Sequence, residues 1–271
     1  MADEVQDFSP INHLLCERIT APRLGLPQGS RFMAVGDPWQ SIYAFRGAYV
    51  GGMAILQERK KMTPAYLSVS FRCPEQVVRH VHWHVPKLRW SKPGGHVERL
   101  NELEISEIPD DAAIICRNNA PLLRLAFRLL ARKRSVSLAG SEVGPRVIAI
   151  MEKLGAELTS KEDLQYLIEE WRNEKLEKGS TTADDIADCM RIFSDYGKTL
   201  GQAVDYAKHL FAQQGAITLI TGHKAKGLEW DTVYHLDPWI IKSGDQEDNL
   251  RYVISTRAKQ TLFEVDSKEI R

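Results

Sequence analysis

Residues 217–236 limit the fold more than any other stretch. An apolar, β-branched run at 217–221 breaks at Gly222-His223-Lys224 into a polar loop, and a second apolar run follows at 232–236. Both runs read as buried strands. The loop between them gathers Gly222, Lys224, Lys226, Gly227 and Glu229 at a strand end, the place where open α/β sheets take their ligands. Taken alone, the same loop also reads as a solvated surface turn.

Further elements extend the α/β pattern. Residues 31–35 read as a short buried strand, 67–70 as a strand end, and 112–116, 135–138 and 261–265 as strands. Apolar residues recur at helical spacing over 11–18, 75–84 and 120–133, the last with Leu123, Phe127 and Leu130 on one face. Residues 21–30 read as a loop and 87–111 as polar and irregular. From about 145 to 214 the chain is almost wholly helical, over 146–154, 161–175, 182–193 and 200–213, which interrupts the strand–helix alternation as a helical insertion.

The 271 residues allow one large domain or two modest ones. Lys+Arg and Asp+Glu both number 36, so a bulk polyanion binder is disfavoured while a local basic groove stays open. Cys16, Cys73, Cys116 and Cys189 form no C-x-x-C pair and read as reduced thiols. No apolar run is long enough to span a bilayer and no signal peptide opens the sequence, so a soluble, cytoplasmic protein is expected.

Four clusters carry chemistry. Asp3-Glu4-Val5-Gln6-Asp7 reads either as a solvated helix cap or as the acid pair of a nucleotide hydrolase. In such enzymes one acid holds Mg²⁺ through water and the other orients the attacking water. In the second cluster, Gly36-Asp37-Pro38 makes a turn, and Gln40 can bond a phosphate or a water. Tyr43, Phe45 and Arg46 follow it, offering two stacking faces and a cation, as single-stranded nucleic acid uses, or two core aromatics and a surface Arg. Phe71-Arg72-Cys73-Pro74 closes a strand ahead of a helix. The last cluster, 247–259, puts Leu250, Val253 and Ile254 on one helix face and Arg257 near its end, where by itself it reads as a surface cation.

Two decoys fall away. His80, His82 and His84 lack a further ligand at metal spacing. Gly197-Lys198-Thr199 looks like the end of a phosphate-binding loop, G-x-x-x-x-G-K-[ST], but Ile192 stands where the first Gly is required. Gly222 and Gly227 have the right separation, yet Leu228-Glu229 follows them.

In order, Asp-Glu-x-Gln-Asp, Gly-Asp-Pro-x-Gln-Ser-Ile-Tyr-x-Phe-Arg-Gly-Ala, Thr-x-His-x-x-Lys-Gly-Leu-Glu and Tyr-Val-x-x-Thr-Arg-Ala-Lys resemble the motifs of UvrD/Rep-type superfamily 1 DNA helicases. The resemblance covers nearly the whole chain apart from the helical insertion. It implies two RecA-like motor domains with ATP and Mg²⁺ in their cleft and single-stranded DNA across the top. Carried over by position, it assigns Asp3 to Mg²⁺ and Glu4 to activation of the water. Gln40 would sense the γ-phosphate, and Phe71 would stack on adenine, where the family more often has Tyr. Arg72 and Arg257 would stabilise charge on the phosphoryl group. Glu229 and Gly227 would lie on the nucleotide side, and Tyr43, Phe45, Arg46, Thr221 and His223 on the DNA side.

The family's phosphate-binding loop and its first DNA-contact motif have no counterpart here. The expected organisation is therefore a remnant of the first motor domain at 1–60 and a second motor domain at 61–271, a RecA-like parallel sheet flanked by helices, with the insertion at about 145–214. The expected partners are single-stranded DNA and a missing or separately encoded N-terminal helicase segment, with no membrane. A chain without the loop is expected neither to hydrolyse ATP appreciably nor to unwind DNA. The competing reading is a non-enzymatic module that binds single-stranded DNA or a protein.

Overall fold

Extended segments at the start of the chain find little to pair with. The structure, a computed structural model, describes residues 1–22, 24, 27–139 and 143–271. Residues 31–35, expected as a short buried strand, are extended and among the described residues make a single strand bridge, parallel from Ala34 to Ala2, with the Val5 N–H also donating to the Val35 carbonyl at 3.0 Å. Met33 and Val35 are exposed, with no sheet packed around them among the described residues. The loop expected at 21–30 falls partly on residues 23, 25 and 26, which lie outside the described residues.

The described chain divides into two units: Met1–Gly94 with Ile241–Thr256, and Gly95–Ile240 with Arg257–Arg271. In the first, helices α1 (Pro10–Thr20) and α2 (Gly52–Arg59) precede strand β1 (Val69–Pro74), helix α3 (Glu75–His80) and strand β2 (Arg89–Lys92). β1 and β2 form a two-stranded parallel pair with an irregular step between Ser70 and Pro74. Ser9 caps α1, its side chain and that of Asn12 closing a reciprocal box, and Pro10 at the first turn has no N–H to lose. α3 is shorter than the helix expected at 75–84; residues 81–84 continue as turns. The residues expected as irregular at 87–111 contain β2 and a further strand, both too charged to show the apolar alternation of a half-buried strand.

The second unit holds that further strand, β3 (His96–Leu100), and then β4 (Ala113–Cys116), α4 (Asn119–Ala131), β5 (Val136–Leu138), α5 (Val143–Leu154), α6 (Lys161–Glu177), α7 (Ala183–Tyr196) and α8 (Leu200–Phe211). β6 (Ile217–Thr221), the one-turn helix α9 (Gly222–Ala225), β7 (Trp230–Leu236) and, after the last helix, β8 (Ala258–Val265) complete it. The last helix, α10 (Asp245–Ser255), belongs to the first unit.

All six strands of the sheet run parallel, in the order β3-β8-β7-β4-β6-β5. β4 is buried along its whole length, as a strand covered on both faces must be. The helices α5 to α8 do not stand apart as a body of their own. Val147, Met151, Leu164, Ile168, Met190, Phe193 and Leu210 share one continuous core with Ile114, Ile217, Leu219 and Leu236 of the sheet. Asp185 of α7 fastens this layer by accepting the backbone N–H groups of Asn119 and Ala120, which open α4, at 3.0 and 3.2 Å. No described helix is long and apolar enough to cross a membrane.

Candidate nucleotide and nucleic-acid site

In the first unit the leading acids and the Gly-Asp-Pro turn are joined by a residue that the motif reading left without a role. Gln6 is 3% exposed. Its Nε2 donates to the Glu4 carboxylate, and its Oε1 accepts the Asp37 backbone N–H at 3.0 Å. Gly36 makes room for this, since a Cβ there would sit 2.3 Å from Gln6 Oε1. Asp37 then caps the 3₁₀ turn Pro38–Gln40, taking the Trp39 N–H at 3.0 Å on one oxygen and Gln40 Nε2 at 2.8 Å on the other. Glu4, Gln6, Asp37 and Gln40 are thus one hydrogen-bonded series. The signal for Gln6 was its place between two acids; nothing in the sequence named its partner 31 residues on.

Glu4 stands at φ 53°, in the left-handed region that non-glycine residues rarely occupy. Strain of this kind gathers at functional positions. Asp3 uses one carboxylate oxygen to accept the Glu4 N–H at 2.9 Å and is exposed. No group of three or more His, Cys, Asp or Glu side chains among the described residues is arranged to cage a metal. One accessible carboxylate completed by water and phosphate oxygens is the ordinary protein share of a Mg²⁺ site, so Asp3 fits that ion.

α10 supplies the back wall of the turn. Asn249 Nδ2 donates to the Ser41 carbonyl at 2.8 Å, Gln246 Nε2 donates to the same carbonyl at 2.9 Å, and Gln246 Oε1 accepts the Ala44 N–H at 3.1 Å. His84 Nε2 meets Asn249 Oδ1 at 2.7 Å, and His82 Nε2 meets the Leu88 carbonyl, so these histidines have protein partners. Sequence reasoning gave α10 its apolar face but missed these amides, because their partners lie some 200 positions away in the chain.

Three of the five residues assigned to DNA, Tyr43, Phe45 and Arg46, are together. The Arg46 guanidinium lies 5.4 Å from the Tyr43 ring centre and 5.8 Å from that of Phe45, whose ring centres are 6.1 Å apart. Phe45 is 67% exposed, so the core-aromatic reading does not hold for it. Burial, then the nearby Asp7 carboxylate, raises the Tyr43 hydroxyl above its ordinary pKa and keeps it a neutral donor. Phe71 is 73% exposed and presents an open ring, while Arg72 follows it on β1.

In the second unit the polar loop does not stay at one strand end. Thr221 closes β6, level with Cys116 and, through β4, with Leu236 at the C-terminal edge of the sheet. α9 follows and carries His223. The chain then crosses to the opposite edge, where Trp230 pairs with Ala258. At ~3.3 Å per strand residue, the span from Trp230 to Leu236 is about 20 Å. Thr221 and His223 therefore stand at one end of a crossover and Glu229 leads into the other, with Gly227 between them beside Leu228, whose N–H donates to the Ala225 carbonyl at 3.0 Å. Gly227 has φ 87°, a turn that only glycine adopts freely.

Arg257 anchors that second end. It is 1% exposed, which corrects the surface-cation reading. Its guanidinium donates to the Leu228 carbonyl at 3.1 Å, and its own carbonyl accepts the Trp230 N–H at 3.0 Å. A guanidinium this deep is fixed by the backbone it holds.

The motif for the UvrD-like helicase C-terminal domain matches residues 128–268, just over half of the chain. The chain belongs to the UvrD-like helicase family. Residues 1–61 match the UvrD/REP helicase N-terminal domain in addition. No match to a curated protein was found. Among solved structures, the C-terminal domain of a possible DNA helicase from Lactobacillus plantarum WCFS1 is similar at 16% sequence identity, over 73% of this chain and 87% of that one, with a TM-score of 0.35. That superposition is too distant to carry an argument about the site, and the fold class rests on the strand order itself.

Proposed function

We propose that this UvrD-like chain is the C-terminal part of an ATP-dependent helicase that couples ATP hydrolysis to movement on single-stranded DNA. The observation that carries the reading is the series Glu4, Gln6, Asp37, Gln40, which ties a carboxylate able to orient water to an amide able to sense a phosphate. In this reading Asp3 holds Mg²⁺ through water, Glu4 accepts the proton side of the attacking water, and Gln40 reports the γ-phosphate to Tyr43, Phe45 and Arg46. When bound, the metal neutralises charge on the phosphate oxygens. Phe71 stacks on the base, Gly227 and Glu229 border the nucleotide, Arg72 and Arg257 stabilise charge on the transferring group, and Thr221 and His223 contact DNA. The sequence has no phosphate-binding loop, so the chain supplies these groups but not the backbone amides and Lys that hold the β- and γ-phosphates. The division into motor domains at about residue 60, with helices inserted at about 145–214, belongs to the same proposal.

The test is DNA-stimulated ATP hydrolysis by the chain, alone and mixed with the phosphate-loop-bearing N-terminal segment of a UvrD/Rep-type helicase. Turnover is expected only in the mixture, and Arg257→Ala is expected to lower it about 10³-fold or more. Metal-dependent turnover by the chain alone that survives both Arg257→Ala and Glu4→Gln would overturn the assignment. The burial of Arg257 favours one alternative, a non-enzymatic module that binds single-stranded DNA or a protein. Inactivity in the mixture, with single-stranded DNA binding that Phe45→Ala weakens, would select it.

A further inference from the structure

The crossover from β3 to β4 has to pass β8 and β7, which lie between those two strands in the sheet. In a parallel sheet such a crossover is ordinarily a helix that covers the strands it passes. Here residues 101–112 supply only the 3₁₀ turn Ile105–Glu107, so part of one sheet face stays open. What remains is a cleft of about 390 Å³, wholly within the second unit and in the size range of small-ligand sites. Tyr234 of β7 and Phe263 of β8 are level with each other and, with Thr232 and Thr261, make its floor. His96 and Glu98 of β3 continue the same face. The crossover is the wall, and it is held. The Leu103 N–H donates to the Glu269 carbonyl at 2.9 Å, the Leu103 carbonyl accepts the Arg271 N–H at 2.8 Å, and Arg134 Nη1 donates to the Ile105 carbonyl at 2.7 Å. The cleft is therefore formed without a ligand.

Its lining selects a cation. Glu98, Glu102 and Glu107 reach the cleft, and no described Lys or Arg does. Glu98 is engaged by His96 at 2.8 Å and Glu102 by Arg271 at 2.6 Å. Glu107 accepts the Glu104 N–H at 3.3 Å on one oxygen and has no ion-pair partner among the described residues. Carboxylates alone would be ordinary solvated surface, but the floor adds an observation that solvation does not explain. Tyr234 is 3% exposed, yet its hydroxyl makes no hydrogen bond among the described residues. A buried Tyr hydroxyl ordinarily has a partner. Burial, then the Glu107 charge, push this hydroxyl up to about 12, so it stays neutral and keeps oxygen lone pairs able to accept an N–H. The Tyr234 and Phe263 ring centres are 5.1 Å apart, and the His96 ring meets that of Phe263 at 5.6 Å, so the surroundings of the hydroxyl are aromatic. Carboxylate, hydroxyl oxygen and π face all attract a cation that carries N–H groups. The acids are not arranged to cage a metal ion.

We infer that this cleft binds an organic cation, the ammonium or guanidinium end of an alkyl chain, with its charge between Glu107 and the Tyr234 hydroxyl and its stem along Phe263. A free polyamine and the Lys or Arg side chain of a peptide share this chemistry, and the experiment separates them. None of the cleft residues is assigned to ATP or DNA, so the site stands whether or not the motor reading does.

The probes are agmatine and a capped Gly-Arg-Gly peptide, each titrated into the whole chain and followed by the NMR shifts of its backbone amides. Saturable shifts are expected at β3, the 101–112 crossover, β7 and β8. Binding of agmatine alone would make a free polyamine the ligand, and binding of the peptide alone a basic protein segment; either sustains the site. Tyr234→Phe keeps the ring and removes only the hydroxyl, and is expected to weaken binding about fivefold. Glu107→Gln, which can still accept the Glu104 N–H, is expected to weaken it at least about tenfold. Glu162→Gln, at an exposed acid of α6, is expected to leave it unchanged. No saturable binding of either probe would overturn the site and leave the Tyr234 hydroxyl to water. Losses no larger for Tyr234→Phe and Glu107→Gln than for Glu162→Gln would overturn it as well, by reducing the binding to diffuse charge attraction.

Discussion

α1 and α4 are both amphipathic by sequence, and they end in opposite circumstances. α4 buries Leu122, Leu123, Leu125, Ala126 and Leu129 against a sheet contained in the same unit. α1 buries His13 alone and leaves its aliphatic face in solvent. Periodicity reports that a face is meant to be covered; it does not report that the cover lies nearby in the same chain. The second unit is closed around one core, whereas the first is assembled from segments that lean on polar side chains of α10.

Substitutions can sharpen that contrast or break it. The largest effect is expected where the core is closed: Phe193→Ala should cost about 3–5 kcal/mol in urea titration, while Leu15→Ala on α1 should change stability by under about 0.5 kcal/mol. Equal costs at the two sites would erase the distinction. A smaller effect, about 1–3 kcal/mol, is expected for Asn249→Ala, which strips the Ser41 carbonyl and His84 of a partner. It should appear as faster amide exchange around residues 38–44, with the sheet of the second unit unchanged.

The smallest concerns pH. Burial, opposed by Glu17 and aided by Arg59, holds the His13 imidazole below its ordinary pKa of 6.5. As pH falls below about 6.5 the unfolded chain takes up this proton before the folded one, so the stability it contributes is complete above that value and lost as pH drops toward the folded-state pKa. Urea midpoints at pH 8 and 5.5 should differ more for the native chain than for His13→Leu. An identical pH response in the two would remove His13 from the account.

Much of this was legible. β4, β6 and the helices from α4 to α8 announce themselves because their periodicity and their burial coincide. β3 did not, since His96, Glu98 and Arg99 lie on an edge strand whose charge hides its pairing with β8. Residues 31–35 misled in the other direction: their composition is that of a buried strand, but a strand needs neighbours, and this one has a single bridge. In the candidate site, Asp37, Gln40 and the Tyr43, Phe45, Arg46 group stand close in sequence, so a local pattern could single them out together. Gln6, Gln246 and Asn249 act across long stretches of chain, so no local pattern could point to them.

The double grip of Arg257 also gives the β6–β7 crossover a mechanical character. Residues 222–229 are pinned at one end by β6 and at the other by a side chain on Leu228 and a carbonyl on Trp230. A segment fixed at both ends behaves as a strut. Any force that shifts the guanidinium loads Leu228 and Trp230 together, and through the Leu228 N–H, which donates to the Ala225 carbonyl at 3.0 Å, it passes around the Gly227 turn to α9 and His223.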